Sequence, residues 1–286
     1  SSSYFKSNIN YFAIIIGGAL FGAGMMIADG CSSRSIVKFS QGDANALVTL
    51  LFIAIFAFAS TKGILFGVVN GFINNQFMID ISSNLSNFTL NIYFVLAILV
   101  LLLAYFVKKV KRVFSLYDGV IIGFLVGLSW FISGYIGAES IEKEIQVQAL
   151  SYVYPSAKTL EFFTFFEITE LSIGVCIVLG AIFGAYFSTF FNKKYSFGCT
   201  SKMNFNKLKY NMIGGSMMGI GGIMAIGCTV GQGLSGVSTL VFSSFLAIIS
   251  IGVSGFITGK ILYKKDKLLS CFLFVCEDDD KKQYPL

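Results

Sequence analysis

The sequence predicts an all-α polytopic membrane protein made of two pseudo-symmetric halves, and three observations carry that expectation. Apolar residues are 55% of the 286 and charged residues only 13%, with a mean hydropathy of +0.77. A soluble domain of this length needs far more charge to cover its surface. Long apolar runs recur at 11–28, 44–60, 64–79, 91–107, 119–137, 171–191, 211–227 and 235–259, several close to the ~20 residues that cross a bilayer as a helix. Finally, the segment from Gly17 to Cys31 aligns without a gap to Gly214–Cys228 at an offset of 197, with seven of fifteen positions identical. Thr61, Ile64 and Leu65 match Thr258, Ile261 and Leu262 at the same offset.

Each run has a place in this scheme. The first lacks the charged front and small-residue cleavage site of a signal peptide, so it reads as mature structure. The runs at 64–79 and 211–227 are short and broken by glycine. Lysines and arginine cluster at 108–112, at 193–209 and at 260–267, and the positive-inside rule makes these connections cytoplasmic. Lys62 fits the same side, whereas Glu139, Glu142, Glu144 and the Ser/Asn-rich 80–90 fit the outside. Four out-and-back pairs follow, with both termini cytoplasmic and both Gly-Cys copies entering from the cytoplasm. The repeats are therefore expected to be parallel, about an axis along the membrane normal. The expected organisation is one transport domain over 1–286, with a first half at 11–107, a second at 119–262 and a cytoplasmic tail at 263–286.

Glycine pairs four residues apart recur at Gly18/Gly22, Gly67/Gly71, Gly123/Gly127, Gly180/Gly184, Gly215/Gly219 and Gly255/Gly259. That spacing lets helix backbones approach closely in lipid. Gly30-Cys31 and Gly227-Cys228-Thr229-Val230-Gly231-Gln232-Gly233 are different, because glycine so dense breaks a helix. A broken helix at membrane depth exposes backbone N–H groups and the positive end of a helix dipole, and both favour an anion.

Six cysteines are present and no histidine. Cys176 lies in an apolar stretch and is expected to be buried and inert, and Cys271 and Cys276 in the tail carry no expected function. Cys31, Cys228 and Cys199 each follow a glycine at an expected break. A closed zinc site needs four converging ligands, nucleophilic catalysis wants a base beside the thiol, and disulfide exchange usually shows Cys-x-x-Cys. None of these patterns is present. What remains is non-covalent contact between a soft thiol and the polarizable sulfur of a passing anion. No cofactor is expected, and no phosphate loop points to ATP. The net charge of +6 is accounted for by basic loops and needs no nucleic acid.

Gly22-x-Gly24-Met25-x-x-Ala28-x-Gly30-Cys31-x-Ser33, with Ser40-Gln41-Gly42-Asp43 and Leu47-Val48, resembles the first-half motif of the YeeE/YedE sulfur transport family. Ala225–Gly236, with its Gly-Cys-Thr-Val-Gly-Gln-Gly core, resembles the second-half signature, and Tyr154–Leu160 resembles an extracellular loop of that family. The resemblance covers about residues 11–262. It implies a bacterial inner-membrane permease importing thiosulfate or a related small sulfur anion. It further implies an hourglass of long helices and short re-entrant half-helices, with the anion handed along Cys31 and Cys228 at a constriction. A cytoplasmic sulfur-carrier protein of the TusA type is an implied partner. The expected substrate-binding set is Cys31, Cys228 and Cys199 with Gly30, Gly227, Thr229, Gly231, Gln232, Gly233 and Arg34. Gln232 would offer amide donors, and Arg34 either attracts anions at the pore mouth or snorkels to the interface.

The family's N-terminal Arg-x-Arg-Phe-Cys-like motif has no counterpart in this chain, which reaches Gly17-Gly18 soon after Ser1-Ser2-Ser3. Either the chain is trimmed or it is a short variant using Cys199. A membrane thiol enzyme acting on sulfur or selenium compounds is the alternative function, and a structural subunit that needs a partner is a third.

Overall fold

In a computed structural model of the chain, the residues described are 10–74, 101, 114–139, 150–165, 172–191, 205–239 and 241–264. Among them the structure is helical: α1 (Tyr11–Ile27), α2 (Ser32–Ser40), α3 (Ala44–Thr61), α4 (Phe66–Asn74), α5 (Phe114–Glu139), α6 (Val153–Phe165), α7 (Ile173–Phe191), α8 (Phe205–Met224), a π-helical turn (Gly231–Gly236) and α9 (Phe242–Lys264). Four segments are long and apolar enough to span a bilayer: Tyr11–Ser40, Ala44–Thr61, Ile173–Phe191 and Phe242–Lys264. The chain is a polytopic α-helical membrane protein. The expected run at 91–107 and Cys199 lie outside the described residues, apart from position 101.

Local signals set the helix ends. The Asn10 side chain caps α1 by accepting from the N–H groups of Phe12 and Ala13, and Asp43 caps α3 by accepting from Asn45 N. Each cap is worth about 1 kcal/mol. Gly42, at φ 95°, makes the tight turn between α2 and α3. Tyr154–Leu160, expected as a loop, is part of α6 instead. Pro155 falls in the first turn of that helix, where its missing N–H costs no hydrogen bond.

The core is built on α1 and α8, which pack on each other, α1 also on α9 and α8 also on α3. The glycines of the repeat are the reason. A Cβ on Gly17 would sit 2.6 Å from Ala225 N, and one on Gly24 2.7 Å from Gly214 O. One on Gly221 would meet Gly17 O at 2.6 Å, and one on Gly214 would meet Ala28 N at 2.7 Å. Lipid supplies no hydrophobic drive between helices, so backbone-to-backbone packing of this kind is what holds them.

The order of these contacts fixes direction. Positions 17 and 24 of α1 meet 221 and 214 of α8, so the two helices run antiparallel. Ser250 Oγ donates to Ile15 O and Ser254 Oγ to Ala19 O, so α9 runs parallel to α1. Asn211 Nδ2 donates to Asn45 O, and Gly215 and Gly219 abut Thr49 and Ile53, so α8 runs parallel to α3. The 197-residue offset exchanges the two glycine contacts with each other, Gly17–Gly221 for Gly214–Gly24. The copies are thus related by a two-fold lying across the helices. This corrects the expectation of parallel repeats: charge counting placed Lys62 with the other basic loops, whereas α1 and α8 start at opposite ends of the bundle.

Only part of the glycine pattern is used for this packing. Gly18/Gly22 and Gly215/Gly219 sit at crowded crossings, while Gly67/Gly71, Gly123/Gly127 and Gly180/Gly184 have nothing within 4 Å of a Cβ. Gly221→Val, which drives a branched side chain into the α1 backbone, is expected to lower the thermal midpoint of the detergent-purified protein sharply, by about 3 kcal/mol or more of stability. Gly67→Val should leave that midpoint within experimental error.

Candidate functional site

The repeat ends in the same backbone device twice. At the end of α1, Ala28 N donates to Gly24 O (2.9 Å) and Gly30 N to Met25 O (3.0 Å). At the end of α8, Ala225 N donates to Gly221 O (2.8 Å), Gly227 N to Gly222 O (2.8 Å) and Ile226 N to Ile223 O (3.2 Å). This is the Schellman pattern, which needs one residue in the left-handed region. Glycine was expected to make these breaks, but the left-handed residues are Asp29 (φ 61°) and Ile226 (φ 58°), one position earlier. They occupy the same repeat position, and each costs about 1–2 kcal/mol relative to a right-handed residue. For a β-branched isoleucine the conformation is a true outlier. Such strain persists only where the surrounding structure over-determines the backbone.

The thiols follow immediately. Cys31 is the N-cap residue of α2, in extended backbone, and its carbonyl accepts from Ser35 N at 2.9 Å. Cys228 plays the same part in the second copy, where its carbonyl accepts from Gln232 N at 2.8 Å and its Sγ from Gly231 N at 3.3 Å. Cys31 Sγ lies 3.1 Å from Ser33 Oγ. Each sulfur therefore sits at the start of a short helix, where orphan N–H groups and the helix dipole supply partial positive charge. The next residues, Ser32 and Thr229, are again repeat partners, and their hydroxyl oxygens are buried with no protein partner. A buried hydroxyl without a bond is costly unless something else fills the role.

Antiparallel packing places the two breaks at opposite ends of the α1/α8 pair. Ala28 abuts Gly214 while Gly17 abuts Ala225, so the two breaks lie roughly 16 Å apart along the axis at 1.5 Å per residue. Tyr152 packs on the core cluster that contains Cys228 and Ala28, a residue of each break. No feature of the sequence singled out Tyr152, which precedes the Tyr154–Leu160 segment.

The other expected site residues are placed as follows. Gln232 is 2% exposed and its Nε2 donates to Ala225 O at 2.7 Å, so its amide is engaged in closing the broken end of α8. Gly227 and Gly231 line the same spot, next to the Gln232 side chain and to Ser151 Oγ respectively, whereas a Cβ on Gly233 would meet nothing within 4 Å. Arg34 folds back over Gly30, its Cδ 3.2 Å from where a Cβ would be. Cys176 is exposed on α7 rather than buried, on a face of the helix that has no neighbour among the described residues.

Two charged clusters become visible only in the fold. Asp29 is 3% exposed and pairs with Lys38 at 2.9 Å, and Lys38 Nζ also donates to Asp29 O. Near the far end of α3, Lys62 and Lys158 both pair with Glu161. Burial pushes the Glu161 carboxyl up, but hydrogen bonds from Lys62 and Lys158 and their charges outweigh it and hold it below its ordinary value of 4.5. The stabilisation from this cluster is therefore complete at neutral pH and disappears as pH falls through that depressed value. Among the described residues, no group of three or more His, Cys, Asp or Glu side chains is arranged to hold a metal ion.

Apolar spans, crossed glycine backbones and two matched helix breaks define a multi-pass membrane protein whose interior is arranged around thiol-bearing helix starts. The family model described as "Sulphur transport" matches residues 2–257, and the chain belongs to that family. It is 20% identical to the thiosulfate transporter TsuA of Escherichia coli K12 over 84% of this chain and 71% of that protein. It is 26% identical to the thiosulfate transporter TsuA of Spirochaeta thermophila, over 90% of this chain and 79% of that protein.

The buried pair gives an asymmetric expectation. Lys38→Met strands the Asp29 charge and should cost about 3 kcal/mol. Asp29→Asn should cost less than half of that, since the lysine keeps the Asp29 carbonyl and asparagine tolerates the left-handed backbone. Thermal unfolding of the two variants side by side checks the order.

Proposed function

We propose that this chain carries thiosulfate across a bacterial inner membrane into the cytoplasm, as one transport domain over 1–286. The observation that supports this most directly is the pair of matched breaks, each presenting a thiol at a helix start beside a hydroxyl without a protein partner. Thiosulfate offers a soft terminal sulfur to the thiol and sulfonate oxygens to the hydroxyl and N–H groups. Cys228 and Cys31 are then successive stations, one at each break. Thr229, Gly227 and Gly231 belong to the first station, and Gly30 and Arg34 to the second. Gln232 holds the first in shape by tying Ala225. Cys199, outside the described residues, completes the proposed set, whereas Gly233, where a Cβ would meet nothing within 4 Å, is left out of it. The segments at 32–40 and 229–239 act as the re-entrant elements of an hourglass waist.

Orientation follows from charge in the same reading. Lys38, Lys207, Lys209, Lys260 and Lys264 lie toward the Cys31 end of the bundle, given the directions of α8 and α9. The positive-inside rule then makes that end cytoplasmic. Lys62 faces outward, and the anion enters past Cys228 and leaves past Cys31, where a sulfur-carrier protein of the TusA type takes over the sulfur. The end of α9 and the tail after it are cytoplasmic, while α1 starts from the outer side.

Uptake of labelled thiosulfate by proteoliposomes tests this. Cys31→Ala and Cys228→Ala should each reduce uptake at least tenfold, because a contact to a charged ligand is lost at a station the anion must pass. Cys176→Ala should match the wild type. Normal uptake by both alanine variants removes the thiol track, and release of sulfite or sulfide in place of intact thiosulfate would make the protein a thiol enzyme.

The glycines after Cys228 separate sterically. Gly231→Val should suppress uptake by an order of magnitude, since a Cβ there lies 2.9 Å from Ser151 Oγ and 3.7 Å from Cys228 Sγ. Gly233→Val should transport normally and insert equally well.

A further inference from the structure

A cavity of about 290 Å³ opens beside the end of α3, and its walls carry Lys62, Lys158, Glu161, Tyr154, Ala157 and Ile223. Two of these wall residues lead inward: Ala157 and Ile223 belong to or pack on the cluster holding Cys228 and Tyr152. The cavity thus lies at the Cys228 end of the helix pair, at the mouth we assign to the outside. We propose that it is a second anion site, a charge-selective vestibule for small divalent oxyanions, in which Glu161 is a built-in competitor that the incoming anion displaces from Lys62 and Lys158.

The argument is one of charge and geometry. Two ammonium groups converge on one carboxylate, with Lys62 Nζ at 2.5 Å from Oε1 and Lys158 Nζ at 3.1 Å from Oε2. Among the described residues, two ammonium groups thus face one carboxylate, a balance that favours an anion. Lys158 and Glu161 are three residues apart on α6, so the carboxylate is aligned with Lys158 by the helix itself. Lys62, at the end of α3, is more than half exposed and can move with an arriving anion. A dianion between the two ammonium groups takes over both charge-assisted bonds at once. Glu161, released, is left in a site where burial disfavours its charge, and the groups facing it there are Lys62, Lys158 and Tyr154. The vestibule reads charge and size alone, since it has no thiol. It therefore accepts sulfate as readily as thiosulfate, and discrimination by sulfur chemistry is left to Cys228 behind it. The proposal rests on the transport reading for its direction, but not for the binding itself.

The test is equilibrium binding of sodium sulfate and sodium thiosulfate to the full chain in nanodiscs at pH 7.5, by calorimetry, with uptake measured separately. The wild type should bind both dianions with affinities within a fewfold of each other, and Cys228→Ala should retain sulfate binding. Lys62→Met with Lys158→Met should weaken sulfate binding at least tenfold. Glu161→Gln keeps both lysines and removes the competitor, so it should tighten binding severalfold. It decides the matter alone if the double methionine variant does not fold. Unchanged affinity in the lysine variant, or weaker binding in Glu161→Gln, overturns the vestibule. A protein that binds sulfate as described but does not carry thiosulfate overturns only the transport reading. One that carries thiosulfate while sulfate binding ignores these three residues overturns only the vestibule.

Discussion

Everything in this molecule depends on how closely two helix backbones approach. α1 and α8 meet through Gly17, Gly24, Gly214 and Gly221, at distances where a methyl group would collide with a carbonyl or an amide. In lipid there is no gain from hiding apolar surface between helices, so contact density is what favours the packed state. The same crossing decides where the two breaks fall and which direction each thiol-bearing segment leaves the bundle. α9 and α3 pack on the outer faces of this pair in register with it, fixed by serine and asparagine bonds to backbone carbonyls.

Much of this was legible from residues alone. The repeat at an offset of 197 located both breaks, and the structure puts a Schellman end and a capping cysteine at each. The family followed from the Gly-Cys-Thr-Val-Gly-Gln-Gly segment. Direction was not legible, because charge counting assumes that the segments between loops are simple crossings. A helix that stops, turns and restarts as α2 does not report its side by parity. The left-handed residues were missed for a related reason. Glycine is the usual occupant of that conformation, so attention went to Gly30 and Gly227, while Asp29 and Ile226 took the position at a cost.

Roles assigned by residue type fared unevenly. Gln232 looked like a ligand donor, and in the fold its amide is a brace that closes the carbonyl left open by the end of α8. Cys176 looked buried because its neighbours are apolar, yet in a membrane protein an apolar stretch is equally at home facing lipid. Tyr152, Lys38 and Glu161 carried no signal in spacing or composition. Lys62 is 99 residues from Glu161, and Asp29 lies across a break from Lys38, so only the folded chain brings these groups together.

The two-fold that relates the copies lies across the helices, and such a relation has no preferred end. The crossing of α1, α3, α8 and α9 looks the same from either end. Whatever distinguishes the two ends of that crossing must then come from residues that spoil the likeness. The clearest is the left-handed position itself: in one copy it is a carboxylate tied to Lys38, in the other an isoleucine set against Ile14 and Ala247. A second is the wide π turn after Cys228, which has an ordinary α-helical counterpart after Cys31. The difference between the two ends of this crossing is thus written in side chains and one irregular turn, while the four crossed helices are indifferent to direction.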